Sequence, residues 1–94
     1  MVYGTAKFKV PGGKLLSVKV TYWKSIDSIQ ILGDFFIYPE ESLILIEKAL
    51  IGVDPKSGED EISRHIQSVV DKNRITLVGL TPEAIAQAIK MATK

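Results

Sequence analysis

The sequence predicts an α+β domain, a three-stranded antiparallel meander followed by about three helices packed on one face. Two patterns carry this. Apolar residues alternate at period two in the first part of the chain, and they recur at helical spacing in the second. The punctuation between segments agrees, with Pro11-Gly12-Gly13, Pro39, Gly52 and Thr81-Pro82 falling where one periodicity stops and the next starts.

Residues Thr5 to Val10 place Ala6, Phe8 and Val10 on one face and Thr5, Lys7 and Lys9 on the other, the signature of a half-buried strand. Pro11-Gly12-Gly13 breaks it. Leu16, Val18, Val20 and Tyr22 then oppose Ser17, Lys19 and Thr21, so the short intervening loop closes a β-hairpin. After a polar connection from Lys24 to Ser28, the β-branched and aromatic run Ile29 to Tyr38 reads as the third strand. Pro39 is expected at the first turn of a helix, where its missing N–H costs nothing, with Glu40 and Glu41 near the positive end of the helix dipole. That helix runs to about Leu50 and ends at Gly52.

Ser57-Gly58-Glu59-Asp60 sets a hydroxyl three residues before a carboxylate, a capping-box-like start. Ile62, Ile66, Val69 and Val70 follow at helical spacing, giving a second helix from about Glu59 to Asp71 that Asn73 can end. Ile75 to Leu80 is short enough to read either as a strand or as an apolar loop. Thr81 is the expected N-cap of a third helix with Pro82 at its first position, and Ile85, Ile89 and Ala92 form its buried stripe.

At 94 residues the chain is expected to be one domain, residues 1–94, because two cores would each fall below the size at which burial offsets chain entropy. Its composition, 46% hydrophobic and 24% charged, is that of an ordinary globular protein. No apolar run reaches the roughly 20 residues of a membrane span, and Met1-Val2-Tyr3-Gly4 does not begin a signal peptide, so the expected location is cytoplasmic. With no cysteine, a disulfide framework, a thiolate zinc site and an iron–sulfur centre are excluded. Charge is uneven: Met1 to Ile26 holds five lysines and no acid, while the rest holds seven basic and eleven acidic residues.

No catalytic constellation emerges. The single histidine, His65, lies mid-helix beside Arg64 and reads as an ordinary surface or boundary residue. Glu59, Asp60 and Glu61 are consecutive, so they fan around a helix instead of converging on a metal. Pro11-Gly12-Gly13-Lys14 lacks the spacing and following helix of a phosphate loop; it reads as a turn with positive φ at glycine, with phosphate contact by Lys14 as the alternative. Lys7, Lys9 and Lys19, with Tyr3, Tyr22 or Trp23 for stacking, allow a rival reading as a basic-faced nucleic-acid-binding module.

One stretch combines unlike demands: Gly33-Asp34-Phe35-Phe36 puts a flexible residue, a charge and two rings before a helix start. Glycine there permits a bulge or a close backbone approach, and Asp34 is expected to accept backbone hydrogen bonds. Alternation sets Ile29, Ile31, Gly33, Phe35 and Ile37 against Leu32, Asp34 and Phe36, so one phenylalanine is expected in the core and the other at an interaction patch.

The order of these features resembles the C-terminal accessory domain of lipoate–protein ligases, in the version encoded as a separate small chain. The carrying residues are Lys7 to Val10, Gly12-Gly13-Lys14-Leu15, the hairpin, Ile31-Leu32-Gly33-Asp34-Phe35-Phe36, Pro39-Glu40-Glu41 and Leu50-Ile51-Gly52. The resemblance spans Lys7 to about Gly52 clearly and the last two helices more loosely. It implies a noncatalytic subunit that binds no cofactor by itself and pairs with a large catalytic chain as a heterodimer. That complex would use ATP, Mg and lipoate to form lipoyl-AMP before transfer to the lysine of a carrier domain, which this chain would meet only indirectly. The resemblance implies no nucleic-acid and no membrane partner. It places Lys14, Gly33, Asp34, Phe35 and Phe36 against the partner or beside its active site.

Overall fold

The computed structural model describes residues 1–94. The N-terminal half forms the meander: β1 (Val2–Lys9), β2 (Leu15–Tyr22) and β3 (Ile26–Gly33) pair antiparallel in the order β1-β2-β3. β1 begins earlier than alternation alone indicates, because Val2, Tyr3 and Gly4 pair with Tyr22, Thr21 and Val20 and so gain ladder partners. Between β1 and β2, Gly12 has φ of 73°, as expected for a glycine turn, and the Gly13 N–H donates to the Val10 carbonyl at 2.8 Å.

The third expected strand is divided. β3 stops at Gly33, and after Asp34 and Phe35 the chain resumes as β4 (Phe36–Tyr38), which leaves the first sheet to pair with β5 (Thr76–Val78). Alternation survives the break: Ile29 and Ile31 are buried and Phe35 and Ile37 half-buried, while Leu32, Asp34 and Phe36 are exposed. The Ile75–Leu80 ambiguity resolves as this short strand between buried Ile75 and Leu80.

α1 (Ser42–Leu50) starts later than expected. Pro39-Glu40-Glu41 forms a turn, closed by the Ser42 N–H donating to the Pro39 carbonyl at 2.9 Å, so neither glutamate enters the first helical turn. β4 holds the chain extended through Tyr38, which leaves these residues to reverse it. α1 runs back along the free side of β3, where the Ile31 N–H donates to Glu47 Oε2 at 2.8 Å and Gly52 and Val53 exchange backbone bonds with Ile26. α2 (Glu59–Lys72) is capped by Gly58, with no side-chain bond from Ser57. Its start is favoured instead by Glu59, Asp60 and Glu61 at the positive end of the dipole, and Asn73 ends it. α3 (Pro82–Ala92) has the expected start: Thr81 Oγ1 accepts from the Ala84 N–H at 3.0 Å. Thr81→Ala is expected to lower stability by about 1 kcal/mol in chemical denaturation, the usual cost of losing such a cap.

All three helices lie on one face of the meander, enclosing a core of Leu16, Val18, Val20 and Ile31 from the strands and Ile46, Leu50, Ile62, Ile66, Ile85 and Ile89 from the helices. Burying each such side chain fully contributes about 1.5–3 kcal/mol. α3 crosses β1 and β2, and its inward residues Ala84, Ala86, Ala88 and Ala92 are small. β1 matches them with Gly4, whose missing side chain leaves room for the Ala92 carbonyl oxygen. The other sheet face is left open, and no helix is long and apolar enough to cross a membrane.

Candidate functional site

Four chain segments converge at the Gly33 end of the sheet. Gly33 is a close-approach glycine: a Cβ there would stand 2.7 Å from the Leu15 carbonyl oxygen, so any side chain would push β3 off the start of β2. The Asp34 N–H then reaches the same carbonyl at 3.4 Å. The Asp34 carboxylate does not take the backbone hydrogen bonds expected of it; Oδ2 lies 3.3 Å from Lys14 Nζ in an ion pair. Two candidates from separate turns are thereby joined. Both side chains are about 70% exposed, and such a pair contributes only about 0–1 kcal/mol to stability.

Phe35 and Phe36 separate as alternation indicates. Phe35 is half-buried against the core, with Gly79 of the loop before α3 packed beside it. Gly79 has φ of 80°, a conformation that favours glycine and lets this loop approach both Phe35 and Gly13. Phe36 points to solvent and is 76% exposed.

The pairing of β4 with β5 enlarges the patch beyond the residues the sequence singles out. Phe36 sits opposite Val78 and Tyr38 opposite Thr76, while Ile37 and Leu77 turn inward. One face of the ribbon therefore presents Phe36, Tyr38 and Val78, and Leu15, opposite Lys9, and Leu32, opposite Ser17, are also exposed at this end of the sheet. Tyr38 was accessible to sequence reasoning by extending the Phe36 alternation two residues. Val78 was not, because its place depends on a strand pairing some forty residues away along the chain.

The remaining titratable candidates have structural roles. His65 Nε2 lies 2.7 Å from the Ala49 carbonyl oxygen, so Nε2 carries the proton and donates, tying α2 to the last turn of α1. No group of His, Asp and Glu converges in a way that would hold a metal ion. On the open sheet face Lys7, Lys9 and Lys19 lie with Tyr3, whereas Tyr22 turns inward to the core and Trp23 occupies the β2–β3 turn. The basic track and the three candidate stacking rings are not on one surface.

No protein-family model and no curated protein sequence matches the chain. A structure of the lipoylation system of the archaeon Thermoplasma acidophilum, a bipartite lipoate protein ligase and its E2 lipoyl domain, contains a chain of the same fold. The two superpose with a TM-score of 0.75 at 27% identity, over 94% of each chain. Over nearly its whole length this chain therefore has the fold of a component of a bipartite lipoate protein ligase system, in agreement with the family that its Gly33-Asp34-Phe35-Phe36 and Pro39-Glu40-Glu41 segments resemble.

Proposed function

We propose that this chain is the noncatalytic accessory subunit of a lipoate protein ligase, acting as a heterodimer with a large catalytic chain. The observation that carries the reading is the shared fold with a bipartite ligase system across 94% of both chains. In the proposed complex the large chain joins the lipoate carboxylate to the α-phosphate of ATP, with Mg, releasing pyrophosphate and leaving lipoyl-AMP for transfer to a carrier lysine.

The contribution of this chain is a surface. Phe36 and Tyr38 are aromatic anchors of the kind that dominate interfaces, exposed beside Val78 on a ribbon whose inner residues Ile37 and Leu77 hold it to the core. Lys14 and Asp34 stand beside them as a polar rim that reads the partner's charge. A domain docked in this way excludes water from an adjoining adenylation site and orders the loops around it. Transfer requires entry of a carrier lysine, so the docked domain favours the first half-reaction and moves for the second.

Lipoate-dependent pyrophosphate release by the large chain tests this, measured with and without the present chain at matched concentrations. Release is expected to depend on both chains. Release unchanged by this chain would remove the accessory role, and equal acceleration of activation and transfer would remove the gating.

A further inference from the structure

The opposite end of the molecule carries a concavity that the accessory role leaves unused. A cleft of about 640 Å³ opens where the end of β2 meets the loop between α1 and α2. It lies about 23 Å from the Lys14 end, taking β2 at roughly 3.3 Å per residue. Val2, Tyr22 and Trp23 form its apolar wall, and Trp23 is 64% exposed. Lys24, Lys56 and Lys94 line the same cleft with one acidic side chain, Asp54.

The Lys14–Asp34 contact is the one ion pair in the structure, so none of the three lysines around the cleft is paired with an acid, Asp54 included. Asp54 Oδ1 instead accepts the Lys56 backbone N–H at 2.9 Å, closing a turn that the Ser57 N–H reinforces by donating to the Asp54 carbonyl at 2.9 Å. Lys90 Nζ donates to the Pro55 carbonyl, also at 2.9 Å, and Pro55 is buried. The loop that presents Lys56 is thus held in place from both sides.

We propose that this cleft binds a nucleotide, with its phosphates among Lys24, Lys56 and Lys94 and its base against Trp23. The lysines supply the charge that phosphates need, and the indole face supplies stacking and is left in water without a ligand. A bare anion leaves the apolar wall unused, and the volume is that of a small-molecule site. The proposal departs from the expectation that the chain alone holds no cofactor, and it stands or falls independently of the accessory role.

Trp23 is the only tryptophan, so its fluorescence in the isolated full-length chain reports on the cleft directly. Titration with ATP at low salt is expected to give a saturable change, with pyrophosphate and adenosine each binding more weakly. Lys24→Ala and Lys56→Ala should each weaken ATP binding about five-fold, the effect of one opposed charge at a solvated contact, while Lys19→Ala on the open sheet face leaves it unchanged. Absence of saturation at millimolar ATP overturns the proposal, as does affinity unaltered by both cleft variants. Pyrophosphate binding as tightly as ATP also overturns it, because the ring then adds nothing, and tighter binding of a single-stranded oligonucleotide replaces it with a nucleic-acid site.

Discussion

Gly4→Ala is expected to destabilise the protein by about 3 kcal/mol or more, because the new methyl group has no place to go. The Ala92 carbonyl oxygen occupies the position a Cβ would take, and that oxygen is backbone, which cannot rotate aside. Relief requires the C-terminal turn of α3 to lift from β1, and the buried contacts of Ile89 and Ala92 go with it. Gly58→Ser is the matching control: a Cβ there meets nothing within 4 Å, and serine at the N-cap of α2 should raise stability by a few tenths of a kcal/mol. Denaturant unfolding of both variants measures the contrast. A Gly4→Ala protein within about 0.5 kcal/mol of the parent would mean that α3 does not sit this close to the sheet.

Phe35→Ala and Phe36→Ala are expected to fail in different assays although the residues are adjacent. Phe35 is half-buried against the core, so its loss should cost about 2–3 kcal/mol, below the range for a fully buried phenylalanine. Phe36 is 76% exposed and should change stability by no more than about 0.5 kcal/mol. If the ribbon is the docking face, Phe36→Ala should instead weaken association with the large chain by about thirty-fold, the effect of losing a hot-spot anchor worth roughly 2 kcal/mol. Unfolding midpoints and a binding titration separate the two. Equal loss of stability in both variants, or unchanged association for Phe36→Ala, would remove the division of labour.

The sequence made the inward faces legible because alternation is local. Leu16, Val18 and Val20 on β2, and Ile85, Ile89 and Ala92 on α3, are buried as their spacing indicates. What it hid depended on distant partners. β1 reaches Val2 through a glycine that weakens local strand preference, because Tyr22 and Val20 are there to pair with it. Nothing local reveals that Phe36 leaves the meander to join Thr76–Val78, and once it does, Pro39-Glu40-Glu41 is needed as a turn and cannot open the helix. Lys14 and Asp34 were each legible as candidates, but their contact was not, since it joins two turns separated by the whole hairpin.

The placement of α1 along β3 also determines how these molecules can stick to one another. Glu47 occupies the Ile31 N–H and Ile26 pairs with Gly52 and Val53, so the β3 edge is interrupted at both points, whereas the outer edge of β1 offers a long row of free backbone groups. The ribbon strands, at three residues each, are too short to template pairing. A building block with one long continuous edge uses it on the first neighbour: two copies joined through β1 leave only the interrupted β3 edges for a third. Edge-to-edge assembly of the folded protein therefore favours a pair over a fibre.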